Sequence, residues 1–405
     1  MSKNTRRTFL KTVGLTVGGV GVAGASARQT DKFAESDESH HCDDATTSDV
    51  NWRFGPHSPF RHTPAVGEKT VYAREDGEYL YAIDRETGTE RWRFEVTGDD
   101  DPAGTVGPVL CDGTVYVAGN SGDDTRLYAV DAATGEERWS FFVSGGVRTT
   151  PTVEDGTLYF ASFTHSTTYA LDTDTGDVQW TFTGDCDPLG HPRDDVLVTA
   201  GNAYVVDGNN LWALDADDGG VEWALRPNEF SLYALAVTDD TVYVGLSDGS
   251  SCVADGNLVA LDAASGTERW STDVSGLSTA DEIEVGGGRV YVVSYVHDPT
   301  RLVALNGDDG TEHWSFEVDE TGVANTTEQG VIEHSHTVYD GNVYFSANRS
   351  VYQLDGDDGS VSARWDAEYP IIEAPAVTED AVYADSAFDD RTNRYGYVYS
   401  FDRDE

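Results

Sequence analysis

Lysine is almost missing from this chain of 405 residues: Lys3, Lys11, Lys32 and Lys69 are the whole complement, against 22 arginines. The 26 cations face 73 Asp and Glu, leaving a formal net charge of −47. That sign excludes nucleic acid as a partner, because binding it means neutralising phosphates with basic side chains. Cysteine is scarce as well. Cys42, Cys111, Cys186 and Cys252 show no CxxC spacing and no adjacent pair, so a disulfide framework is excluded, and buried thiols or one isolated bridge stay open. HExxH and P-loop strings are also absent, which removes the usual signatures of a zincin and a phosphate cradle. The apolar run that starts at Val13 is Gly-rich and too short for a bilayer span.

What is present describes a folded, exported protein. Hydrophobic residues make up 39% and aromatics 11% of the chain, enough for a sizeable core. Thr5 to Lys11, TRRTFLK, matches the twin-arginine export pattern, and Ala25-Ser26-Ala27 offers a small-residue cleavage site. Residues 1–27 thus read as a signal peptide, 28–47 as an acidic flexible spacer and 48–405 as the folded domain. The string Gly19 to Gly24, GVGVAG, fits a dinucleotide fingerprint, but no strand or βαβ unit frames it. Cys42 lacks the small-residue context of a lipid-attachment cysteine. Removing the four cations of residues 1–27 takes the charge from −47 to −51. A same-sign surface of this size repels itself in dilute buffer and becomes tolerable where molar salt shortens the screening length to a few Å, so the expected setting is a halophile's.

A period organises the rest. Trp92, Trp139, Trp180, Trp223, Trp270, Trp314 and Trp365 each follow a string close to A-x-D-x-x-T-G-x-x-x-W, with two main departures: Asn306 in place of Asp, and a spacing of six rather than four between Gly359 and Trp365, read as a two-residue insertion. The string reads as a β-hairpin, its Asp folding back on the turn amides and its Gly at positive φ. A second hairpin, ending on Tyr72, Tyr116, Tyr159, Tyr204, Tyr243, Tyr291, Tyr344 and Tyr383, preceded by Val in six copies and by Leu158 and Ala203 in the other two, occurs eight times. Four antiparallel strands in about 40 to 50 residues make a propeller blade. Eight first halves against seven second halves leave one blade open. Asn51-Trp52-Arg53-Phe54 repeats Arg91-Trp92-Arg93-Phe94, and supplies the missing outer strand from the front of the chain. The expected fold is therefore all-β: an eight-bladed propeller of four-stranded blades, closed by the strand around Trp52. A seven-bladed ring with a spare hairpin, or a linear solenoid, leaves Trp52 unused and exposes sheet edges.

These residues resemble the quinoprotein-type repeat family, whose eight-bladed propellers use the same motif to dock neighbouring blades; the likeness spans about 48–405. The family resemblance implies two functional classes. One comprises dehydrogenases of alcohols or sugars that hold pyrroloquinoline quinone and calcium over the channel. The other comprises assembly-factor scaffolds of the BamB type, which bind no quinone. The short blades favour the second, so no cofactor is expected, and quinone with calcium belongs to the alternative.

Positions eight to eleven before each repeat tyrosine should surround one channel mouth: Arg61, His62, Arg148, Arg193, Tyr233, Asp281, Glu282, Glu333, His334, His336 and Glu373. The arginines suit an anionic ligand or the neutralising of inward-facing acids. His334 and His336 share one side of an extended segment, and with Glu373 or His62 they form a weak metal candidate. A protein partner or small ligand at a propeller face is the expected occupant.

Overall fold

The computed structural model describes residues 47–48 and 50–403, less 77–78, 97–105, 122–123, 148–149, 163–165, 185–195, 208–209, 227–230, 248–254, 276–282, 295–300, 318–331, 372 and 390–393. Its strands form eight sheets, antiparallel but for one short parallel pair. Blade 1 comprises Ala65–Val66, Thr70–Arg74, Tyr79–Asp84 and Glu90–Glu95. Blades 2 to 5 repeat the order over 109–144, 152–183, 197–225 and 231–275. Blade 6 is Glu284–Gly286, Arg289–Ser294, Arg301–Asn306 and Glu312–Glu317; blade 7 is Ile332–Tyr339, Asn342–Ala347, Ser350–Asp355 and Val361–Asp366. The first strands of neighbouring blades adjoin one another and line the channel.

The hairpin turn follows from its residue types. Asp84 Oδ1 accepts the amides of Glu86 at 3.1 Å and Thr87 at 2.9 Å, and Gly88 closes the turn at φ 68°. Beyond it, Ala82 opposes Trp92 and Ile83 opposes Glu90, so Arg91 is a bulge residue. Its guanidinium reaches back to Asp84 Oδ2 at 2.6 Å. That contact, with the Thr87 bonds, lowers the Asp84 carboxyl to about 2.

Blades are clasped through one carbonyl. Ala132 O, in blade 2, accepts both the Tyr72 hydroxyl at 2.9 Å and the Trp92 indole N–H at 3.2 Å. Trp92 also lies over Gly135, where an added Cβ would come within 2.8 Å of the indole. Gly135 is thus required twice, for its φ of 76° and for its missing side chain. The same seat joins Trp52 to Gly88 and Trp139, Trp180, Trp223, Trp270 and Trp314 to the turn glycines that follow them. Between blades lie the apolar cores, such as Phe54, Phe60, Val71, Tyr81, Tyr383 and Val398 at the joint of blades 8 and 1.

Blade 8 closes as the repeat count requires. Ala376–Val377, Ala381–Asp385 and Arg394–Asp402 are completed by Val50–His57, which runs antiparallel to Arg394–Asp402. Trp52 opposes Ser400, two residues before Asp402, the register that Trp92 keeps with Ala82, two before Asp84. One further pairing is absent from the sequence reading: Thr47–Ser48 runs parallel to the outer strand of blade 7, with Thr47 beside Arg364 and Ser48 beside Trp365.

Blade 7 corrects the expected insertion. Gln353 opposes Ala363 in the register that Ala82 and Trp92 share, so the strand has gained no residues. Instead the tryptophan has moved two places along the same face, opposite Val351, and its indole donates to Asp402 O at 2.7 Å. Arg403 takes the space near the usual clasp, its guanidinium 4.8 Å from the Tyr339 ring centre and 5.8 Å from that of Tyr344. Arg85 does the equivalent on the other side of blade 8, donating to Tyr383 Oη at 2.7 Å. Both joints of the closing blade therefore carry an arginine.

Candidate binding site at the channel mouth

Each blade enters its first strand and leaves its second strand at the same mouth, so residues at those two places converge. At the joint of blades 8 and 1 they form a charged group. Arg61 pairs with Asp76, whose side chain is only 7% exposed. Arg74, at the end of the second strand of blade 1, is fully buried. Burial pulls its guanidinium down to about 10, although Glu75 and Asp76 beside it oppose the shift. His62, close to Arg74 and Arg61, is held neutral, its imidazole lowered to about 3 chiefly by burial and then by those two cations. Across the joint, Asp385 is 1% exposed and neither carboxylate oxygen has a hydrogen-bond partner. Burial, and after it the charge of Glu373, raises its carboxyl well above the ordinary aspartate value. Thr63 Oγ1 donates to Ala374 O at 3.0 Å and Ser346 Oγ to Glu373 O at 2.8 Å, binding blades 7, 8 and 1 together beneath this group.

Of the residues expected at the mouth, Arg61, His62 and Glu373 come together here. His336 lies in the first strand of blade 7 and is buried, no side chain bonding either ring nitrogen. Glu333 and His334 precede it in Ile332–Tyr339, and Tyr233 lies in Ser231–Val237; the side chains of these three are outside the described residues. Arg148, Arg193, Asp281 and Glu282 lie outside them altogether, as does the signal and spacer region up to residue 46. No cluster of three or more metal-ligating side chains occurs among the described residues.

Four charged residues were missed: Arg74, Asp76, Asp385 and Glu284. Three of them, Arg74, Asp385 and Glu284, had a legible signal, each breaking the repeat. Two positions after each repeat tyrosine the other blades carry Ala, Val, Gly or Ser, so Arg74 and Asp385 break the period. Glu284, in the first strand of blade 6, is pushed up to about 8 by burial, with the Val285 amide opposing.

A family model described as outer membrane protein assembly factor BamB matches residues 17–106, 80–223 and 187–405. The chain belongs to this BamB family. Among curated proteins, the serine/threonine-protein kinase AfsK of Streptomyces griseus is 32% identical over 148 residues, 36% of this chain and 18% of AfsK. The chain spans less than a fifth of the curated relatives it matches. Among solved structures, BamB from Moraxella catarrhalis is 16% identical at a TM-score of 0.62, with 86% of this chain and 99% of that one covered. The quinohemoprotein alcohol dehydrogenase ADHIIG of Pseudomonas putida HK5 is 14% identical at 0.64, with 87% and 76% covered. At such identities the likeness is one of fold. The BamB-type propeller is thus shared by a named assembly factor and a named dehydrogenase, and among the described residues no helix is long and apolar enough to cross a membrane.

Proposed function

We propose that this BamB-type chain is a non-catalytic binding and assembly scaffold, exported by the twin-arginine route and working at a halophile's cell surface. Residues 1–27 are its signal, 28–47 its spacer and 48–405 its ring. One observation carries the reading. The described mouth spends its cations on its own acids: Arg61 is paired with Asp76, and Arg74 is buried beside Glu75 and Asp76. A site built for an anionic substrate leaves its guanidiniums facing the channel. The propeller faces, built from loops on a rigid ring, are the surfaces offered to a protein partner or small ligand.

The alternative is a quinone-dependent dehydrogenase of alcohols or sugars, and the likeness to ADHIIG favours it. Pyrroloquinoline quinone is a polycarboxylate and fits poorly beside the unpartnered Asp385 carboxyl and the committed arginines. The two readings separate in one experiment. Purified protein in molar salt, given quinone and Ca²⁺, is expected to show no dye-linked oxidation and no thermal shift, and to retain envelope proteins in a pull-down. Turnover lost on Arg148→Ala or Glu333→Ala would establish the dehydrogenase instead.

A further inference from the structure

Blades 6 and 7 meet at the channel through a pair of residues that no other joint possesses. Glu284 opposes the repeat tyrosine Tyr291 in blade 6; in the other seven blades that position holds Ala, Val, Leu or Thr. His336 stands eight before Tyr344; in the other seven blades that position holds Pro, Val, Leu or Ile. The two exceptions stand on the facing sides of blades 6 and 7. Tyr291 and Phe345, the cross-strand partners of Glu284 and His336, lie in one core cluster between blades 6 and 7. Two residues further along each strand, a Cβ placed on Gly286 would meet Val338 Cγ1 at 2.5 Å. The two strands run in the same direction, and alternate side chains share a face, so stepping back two residues on both sets Glu284 opposite His336.

His336 is 1% exposed, and no side chain bonds either ring nitrogen; the polar group beside the imidazole is the Tyr291 backbone. Glu284 is only partly buried, which leaves a way in from the channel. An imidazole and a carboxylate on facing strands are N and O donors suited to a first-row divalent ion, with water filling the other positions. We infer that Glu284 and His336 hold a divalent transition-metal ion of the zinc class across the joint of blades 6 and 7. The ion supplies the positive charge that a carboxylate needs in an apolar seam and a ligand bond for an imidazole that no side chain satisfies.

The other blades design the test. Glu284→Ala with His336→Leu copies the residues of blade 5, Ala236 and Leu235, so the double variant has a precedent for folding. The full chain, stripped with chelator and titrated with Zn²⁺ in molar NaCl, should bind one equivalent more than the double variant, and Zn²⁺ should raise the melting temperature of the parent only. Counting the difference removes ions taken up elsewhere, for instance by His40 and His41. Co²⁺ in place of Zn²⁺ should show visible d–d absorption that His336→Gln alone weakens. Equal stoichiometry in parent and double variant, or a Zn²⁺ response that survives the double substitution, would overturn the assignment.

Discussion

At the scale of single residues, the repeat is explained by what each motif position touches. Gly135 accepts the Trp92 face and holds a φ of 76°. Gly135→Ala is expected to cost about 2–4 kcal/mol from left-handed strain and overpacking together, read as a lower midpoint in denaturant. Asp385 has the opposite sign. Its folded pKa lies above the unfolded value of 3.8, so keeping it buried costs stability as pH rises past that value. Asp385→Asn should therefore raise the melting temperature at neutral pH, and the gain should vanish near about pH 3. His62 costs stability on the acid side. Its imidazole falls from 6.5 to about 3, so the penalty grows as pH drops through that interval, and His62→Gln should shift acid unfolding to lower pH. Neither shift could be read from the sequence, since each depends on burial.

At the scale of strands and blades, much of the fold was legible because the repeat fixes it from several sides at once. The Asp, the Gly, the Trp and the repeat Tyr all predict the same hairpins. The pairing of Trp52 with Ser400 was legible for the same reason: only one outer strand was missing, and only one unassigned copy remained. The blade 7 register was misread because spacing alone cannot tell an inserted residue from a displaced one; Ala363 holds the clasp position and Trp365 has moved outward. The mouth was only partly legible. Counting back from the tyrosines singles out Arg61, His62 and Glu373, which the structure sets near one another, but a rule that looks ahead of the first strand cannot reach Arg74 or Asp385 at the end of the second. Trp52→Ala is expected to cost about 3–5 kcal/mol, since it vacates the seat on Gly88 and the bond to Arg85 O. Limited proteolysis should then cut ahead of Ser58 first. Arg85→Ala should act at the same joint with a smaller loss of about 1 kcal/mol.

For the whole molecule, charge and closure set the behaviour. A net charge of −47 opposes compaction, and salt screens it. Melting temperature is expected to climb as KCl rises from millimolar to molar; a protein equally stable in dilute buffer would remove the halophile reading. The ring itself is held by identical clasps at most joints and by arginine-reinforced ones on both sides of blade 8. The amino-terminal stretch also straddles one of those joints: Thr47–Ser48 belongs to the sheet of blade 7 and Val50–His57 to that of blade 8. A tether pulling on the residues ahead of Thr47 would accordingly load two sheets in shear before it could peel either one, so the end of the chain best suited to hanging the ring from a surface is also the end that resists being unzipped.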